Sequence, residues 1–110
     1  MTTMHRHAFV ILYRWEIRST HAETFRDSWE RLTRLYSQLY GARGGRLHRA
    51  EGDLWVAYSE WPSREQYFMA VERGVPDEAI AASMNAAVRR RLDPVFMELQ
   101  SDLLETDPEP

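Results

Sequence analysis

Apolar residues occupy almost every position from Leu54 to Trp61, where the chain reads Leu-Trp-Val-Ala-Tyr-Ser-Glu-Trp. Aromatic and β-branched residues favour a strand, and the period of two divides this strand into two faces. One face holds Leu54, Val56 and Tyr58, and the other holds Trp55, Ala57, Ser59 and Trp61. Both faces are largely apolar, so both need cover from water.

Three further segments also read as strands. Residues 7–18 are rich in aromatic and β-branched types, and their two faces are Phe9, Ile11, Tyr13, Trp15 and Ala8, Val10, Leu12, Arg14. A short strand over residues 46–50 meets the strand from Leu54 through Glu51-Gly52-Asp53, a predicted tight hairpin turn. The last predicted strand covers roughly residues 95–104, after the break at Asp93-Pro94.

Helical spacing separates these strands. Thr20 and Glu23 form a predicted capping box, and Gly41 is the predicted stop. Between them a buried stripe is predicted from Phe25, Trp29, Leu32, Tyr36 and Leu39. A second capping box, Ser63 with Gln66, opens the next helix. An Ala-rich helix then begins near Pro76 and is predicted to end at Arg89–Arg91, where positive charge suits the helix dipole.

The predicted order is β-α-β-β-α-β, the ferredoxin-like α+β arrangement, in a single domain over residues 1–110 with a core over residues 7–104 and an acidic tail over residues 105–110. Right-handed crossovers place both helices on one face of a four-stranded antiparallel sheet. The bare face is predicted to carry Trp55, Trp61 and one face of the first strand. A second copy should cover these aromatic side chains, which predicts a homodimer with a partly apolar cavity.

Composition removes several classes of function. The net charge of -3 predicts no binding to nucleic acid or to an acidic membrane surface. No apolar run is long enough to span a bilayer and no signal-peptide pattern follows the N-terminus, so a cytoplasmic location is expected. The chain has no cysteine and no lysine, which excludes thiolate and Schiff-base chemistry from its own side chains.

The span from Ala8 to about Leu104, and most specifically Gly52 to Glu65, resembles the antibiotic biosynthesis monooxygenase family of dimeric α/β-barrel proteins. That family includes cofactor-independent oxygenases that convert polycyclic phenols or quinols to quinones, and also haem-degrading monooxygenases. Its wider superfamily includes cyclases, isomerases and uncharacterised proteins. The resemblance implies a dimeric barrel and, for this chain, no cofactor and no metal.

Functional positions of the family transfer in part. Trp61 and Tyr67 stand at the spacing of the cavity Trp and Tyr of a quinone-forming oxygenase, and Ala57 stands where that enzyme has an Asn. Tyr13 takes the position of an Asn of the haem-degrading branch. The last histidine, His48, precedes the third strand, so the haem-ligating His of the following helix has no counterpart, which argues against haem degradation.

These comparisons lead to a predicted site and three functions. His48 is the predicted base, because histidine is the side chain that most often abstracts a proton near neutral pH, with Trp61 and Tyr67 as the other catalytic residues. The predicted functions are a monooxygenase that oxidises a small aromatic phenol or quinol with O2, an isomerase or cyclase, and a non-catalytic small-molecule-binding dimer. The predicted substrate-binding wall consists of Phe9, Ile11, Tyr13, Trp15, Trp55, Ala57 and Ser59.

Overall fold

Strand β1, Phe9–Ile17, lies at the centre of an antiparallel sheet in the computed structural model, which describes residues 7–105. The sheet order is β2-β3-β1-β4, and β5 also pairs with β1. This topology confirms the predicted ferredoxin-like arrangement. The predicted tail over residues 105–110 lies outside the described residues except for Glu105. The remaining elements are β2 (Gly44–Arg49), β3 (Leu54–Trp61), β4 (Val88–Arg91), β5 (Val95–Glu98), α1 (Ala22–Tyr40), α2 (Arg64–Arg73) and α3 (Glu78–Ala86).

The fourth strand of the fold is split into β4 and β5. Strand β4 pairs with the Trp15–Ile17 end of β1, and β5 pairs with its Phe9–Leu12 end. Pro94, which has no N–H to donate, lies in the break between them. The predicted helical end at Arg89–Arg91 is therefore wrong, and so is the predicted extension of the last strand to residue 104. Pairing with β1 outweighs the helix propensity of the Ala-rich segment from this point on.

Among the turns and helix caps predicted from the sequence, three are confirmed and one is wrong. The Glu51-Gly52-Asp53 hairpin is confirmed, with Gly52 at a φ of +62°. Ser63 Oγ accepts a hydrogen bond from the Gln66 backbone N–H at 3.1 Å, and Gly41 ends α1 with a φ of +80°. The Thr20 cap is wrong, because residues 19–21 form a 3-10 turn and α1 begins at Ala22 without a side-chain cap.

All three helices lie on the face of the sheet that holds Trp15, Trp55 and Trp61. The strand register places Trp15 opposite Trp55 and Phe9 opposite Trp61. Phe25 of α1 packs on both Trp15 and Trp55, with ring centroids 5.0 and 5.8 Å apart. The prediction that Trp55 and Trp61 lie on the bare face is therefore wrong, because this chain's own helices bury both.

The opposite face of the sheet, which we call the open face, has no helix over it among the described residues. Half-buried apolar side chains, including Leu12 and Val56, lie between charged and polar ones on this face. Alternation along a strand separates two faces but does not say which of them the helices cover. That choice follows from the fit between the aromatic side chains and the buried stripe of α1.

The helix-facing core consists of two clusters of buried residues. Tyr13 packs against both clusters and lies between them. One cluster contains Trp15, Ile17, Phe25, Trp55, Ala57 and Ala87. The other contains Phe9, Ile11, Ala42, Trp61 and Ala70.

Candidate functional site

A cavity of about 390 Å³ opens beside Tyr13, between the sheet and the three helices. Its volume is within the range of pockets that bind small molecules. Polar groups on its lining come from Thr33, Ser59, Asn85 and Arg91 in addition to the tyrosine hydroxyls. Its aromatic lining consists of Tyr13, Trp29, Tyr36, Trp61 and Tyr67.

Trp61 is the most deeply buried part of the aromatic wall, with only 3% of its surface exposed. Its ring meets Tyr36 of α1 and Tyr67 of α2 edge to face, at centroid distances of 6.0 and 5.5 Å. Edge-to-face contacts of this kind hold aromatic rings in defined orientations. A sheet residue and two helices therefore build one preorganised wall.

Hydrogen bonds between α1 and α2 hold Tyr67 at the cavity. Gln66 Nε2 donates to the Tyr40 carbonyl at 3.0 Å, and the Tyr40 hydroxyl donates to the Gly74 carbonyl at 2.9 Å. These contacts fix both ends of α2 against the last turn of α1. Tyr67 lies one position after Gln66, so its ring position depends on the same contacts.

Burial keeps two of the cavity tyrosines in their neutral form. Desolvation by burial raises the pKa of Tyr13 far above its usual value, and the nearby Tyr67 adds to this through charge repulsion and a hydrogen bond. Burial likewise raises the pKa of Tyr36, with Tyr40 and Tyr67 as smaller causes. A neutral phenol keeps its O–H proton, so both residues can donate a hydrogen bond to a ligand oxygen.

Arg91 brings a positive charge to the cavity. It lies opposite Trp15 in the β1–β4 pair and therefore on the helix-facing side of the sheet. The Arg91 Nη2 group donates a hydrogen bond to Asn85 Oδ1 at 2.6 Å. Asn85 lies in the last turn of α3. Among the described residues that line the cavity there is no Asp, Glu or His. Arg91 therefore carries the only formal charge on this described lining.

Solved structures resemble this chain in fold over nearly its whole length. SnoaB, a cofactor-independent oxygenase from Streptomyces nogalater, matches with a TM-score of 0.71 and 16% identity, over 89% of this chain and 98% of that one. A candidate antibiotic biosynthesis monooxygenase from Bordetella bronchiseptica matches with a TM-score of 0.68 and 11% identity, over 87% and 98%. The chain has the fold of the antibiotic biosynthesis monooxygenases.

A dimeric ferredoxin-like protein from an uncultured marine organism has the same fold, with a TM-score of 0.67 and 17% identity, over 90% of this chain and 93% of that one. No protein-family model matches the chain, and no curated protein sequence matches it. The resemblance that the sequence suggested is thus confirmed at the level of fold.

Four of the ten predicted site residues line this cavity: Tyr13, Ser59, Trp61 and Tyr67. Phe9 and Ile11 pack behind the wall in the cluster that contains Trp61. Trp15, Trp55 and Ala57 are buried in the cluster around Phe25 and do not line the cavity. The tenth residue, His48, does not line it either.

His48 lies on the other side of the sheet. It is paired with Val56 and is exposed, whereas its neighbour Leu47 packs on the core beside Ala57. The prediction that His48 faces the cavity with Trp55 and Ala57 is wrong. It assumed that Leu47 and Val56 share a face, and the observed register pairs Leu47 with Ala57 instead.

Several cavity residues were not singled out from the sequence as functional. Tyr36 and Trp29 belong to the predicted buried stripe of α1, so their positions carried a signal that was interpreted as packing alone. Asn85 carries no such signal, and the run Arg89–Arg91, which could bind an anion, is better explained in the sequence alone as a solvated helix end. Pairing of β4 with β1 is what turns Arg91 towards the helices.

Metal and membrane sites are not supported by the part of the chain that the structure describes. Residues 7–105 contain no group of three or more metal-ligating acidic or histidine side chains. No described helix is both long and apolar enough to cross a membrane.

Proposed function

We propose that this protein is a cofactor-independent monooxygenase that oxidises a phenol or quinol with O2 to a quinone. The observation that carries the proposal is the aromatic cavity in which Tyr13 and Tyr67 offer hydroxyl groups beside the buried Trp61 ring. The fold shared with SnoaB, which is itself described as a cofactor-independent oxygenase, supports the same reaction class.

The reaction needs the substrate in its anionic form. The substrate anion gives one electron to O2, and the resulting radical and superoxide combine at a ring carbon. Loss of water then leaves one oxygen atom in the quinone and the other in water. Hydrogen bonds from neutral phenols to the substrate oxygen favour the anion, and an apolar wall strengthens these bonds by excluding water.

The cavity side chains have two roles in this proposal. Tyr13 and Tyr67 donate hydrogen bonds to the substrate oxygen, and Trp61 with Tyr36 holds the ring. No carboxylate or imidazole is available among the described lining residues to act as a base. The substrate proton therefore leaves to water at the mouth of the cavity, and His48 has no role in the chemistry.

Oxygen uptake tests the proposal directly. Purified protein is supplied with a panel of polycyclic phenols and quinols, without added flavin, haem or metal, and O2 consumption is followed. We expect uptake above the buffer rate for at least one substrate. Tyr67→Phe should lower kcat by about tenfold, because one charge-assisted hydrogen bond to the anion is lost. Trp61→Phe should also lower turnover per folded protein.

The control in that experiment is His48→Ala, which alters the open face and leaves the cavity intact. Its turnover should equal that of the wild type. Loss of uptake in this variant would contradict the assignment of the cavity. Substrate conversion without O2 uptake would instead indicate an isomerase or cyclase, and binding without conversion would indicate a small-molecule-binding protein.

We also propose that the protein is a homodimer formed through its open face. Leu12 and Val56 lie half-buried on this face, and Val95 of the neighbouring β5 is 41% exposed. After β5 the chain continues beside this sheet, and Leu103 and Leu104 are 90% and 74% exposed there. Contact with a second copy would remove these apolar side chains from water. A relative in fold is described as dimeric.

A further inference from the structure

The three consecutive arginines of β4 have different surroundings. Arg89 forms ion pairs with Glu16, at 3.0 Å, and with Asp53, at 3.6 Å. Arg90 also pairs with Glu16. Arg91 forms no ion pair with a carboxylate among the described residues, and its side chain donates a hydrogen bond to the neutral amide of Asn85. One of the three positive charges is therefore left uncompensated.

The uncompensated charge of Arg91 lies at the mouth of the cavity. Arg91 is exposed, as are the neighbouring lining residues Asn85, Gly74 and Val75, whereas Trp61 is buried on the inner side. The cavity thus has an apolar aromatic interior and a positive rim. The amide of Asn85 holds the guanidinium at this rim through one Nη2 proton, and the other N–H groups of Arg91 stay available to a ligand.

We infer that the cavity selects aromatic ligands that bear a carboxylate, with Arg91 as the carboxylate-binding residue and Asn85 as its positioning residue. The aromatic part of this ligand class rests on the proposed function, and the carboxylate part rests on the arrangement of charge at the cavity mouth. A planar guanidinium matches a carboxylate better than any other side chain does. Because no acidic side chain lines the described cavity, nothing there repels the anion.

Binding without oxygen tests this inference separately from the oxygenase reaction. A hydroxynaphthoate and the matching hydroxynaphthamide are titrated into the wild-type protein by calorimetry, under anaerobic conditions and at low salt. We expect the carboxylate to bind about fivefold to tenfold more tightly than the amide, a modest preference because Arg91 is partly solvated. Added salt should reduce the preference, as expected for a solvent-exposed charge pair.

Substitutions identify the residue that binds the carboxylate of the ligand. Arg91→Gln should bring the two affinities to within about twofold, chiefly by weakening the binding of the carboxylate. Arg90→Gln removes the same charge from the same strand outside the cavity, and it should keep the wild-type preference. Equal wild-type affinities, a preference that survives in Arg91→Gln, or no binding of either compound would each overturn the inference.

The role of Asn85 has its own test. Asn85→Asp places a carboxylate beside Arg91 with almost no change of shape, so the carboxylate ligand should lose its advantage while the amide still binds. A merely structural role for Asn85 would weaken both ligands equally, and that outcome would overturn its assignment as the positioning residue. Because O2 is absent, the preference can hold even if no oxygen uptake is found, and oxygen uptake can occur without the preference.

Discussion

Tyr13 contributes both to the packing of the core and to the lining of the cavity. Its ring stacks on Trp15 at 5.7 Å, and its side chain packs against both buried clusters of the core. Tyr13 also lines the cavity. The burial that stabilises the core is the same burial that raises the pKa of Tyr13 and keeps the hydroxyl protonated.

This burial predicts a loss of stability in alkali. In the unfolded chain Tyr13 ionises near its ordinary pKa of about 10, whereas in the folded chain it stays protonated well above that value. The unfolded state therefore releases a proton that the folded state keeps, and the free energy of unfolding falls as pH rises above about 10. Tyr13→Phe should reduce that fall by up to about 1 kcal/mol per pH unit.

Urea unfolding at a series of pH values from about 8 to about 11 measures this slope. The chain suits the experiment because it has no lysine or cysteine, so tyrosines are the side chains that titrate in this window. The double variant Tyr13→Phe with Tyr36→Phe should flatten the curve further, since burial raises the pKa of Tyr36 too. Identical slopes in wild type and Tyr13→Phe would show that Tyr13 ionises freely in the folded protein.

At the scale of elements, α2 carries Tyr67 of the site but has few side chains buried in the core. Ala70 is its one fully buried residue, and Met69 and Val71 are more than half exposed. Its position relies on the Ser63 cap and on the Gln66 contact with α1. Tyr67, in its first turn, therefore takes its place through a small number of hydrogen bonds.

Removal of the Ser63 cap should affect both stability and the site. Ser63→Ala leaves the Gln66 N–H without its acceptor and should lower the free energy of unfolding by about 1 kcal/mol. Amide hydrogen exchange in α2 should accelerate more than exchange in β1 or β3. Ser63→Asp keeps an acceptor at the cap and should retain wild-type exchange. Equal protection of α2 in Ser63→Ala would show that tertiary contacts alone hold this helix.

At the scale of the whole molecule, the open face decides the oligomeric state. Leu12 lies near its centre, opposite Tyr58 on β3 and Val95 on β5. A charged side chain at this position would have to lose its hydration in a face-to-face dimer, which is costly without a partner charge. The cavity is on the opposite side of the sheet, so the interface and the site can be perturbed separately.

We expect the wild-type protein to have the mass of a dimer by light scattering at micromolar concentration, and Leu12→Glu to shift it to a monomer. Thr24→Glu, on the exposed side of α1, is the matched control and should remain dimeric. Circular dichroism should show that both variants are folded. A monomeric wild-type protein would contradict the proposed interface.

The order of elements, the hairpin at Gly52 and the caps at Ser63 and Gly41 could all be predicted from the sequence. These features depend on residues close in the chain, through periodicity, positive φ angles and local hydrogen bonds. The placement of Trp61 and Tyr67 in one site could also be predicted, because the two residues keep the spacing of the family that the sequence resembles.

Only the tertiary structure decided which side of the sheet the helices cover. Alternation is symmetric between the two faces, so Trp55 and His48 could not be assigned to cavity or open face until the register with β2 and the packing of Phe25 were known. Arg91 entered the site for the same reason, because pairing with Trp15 across the sheet outweighs the local helix preference of its segment. The sequence by itself determined the elements and their two-sided pattern, and long-range packing determined which side became the site.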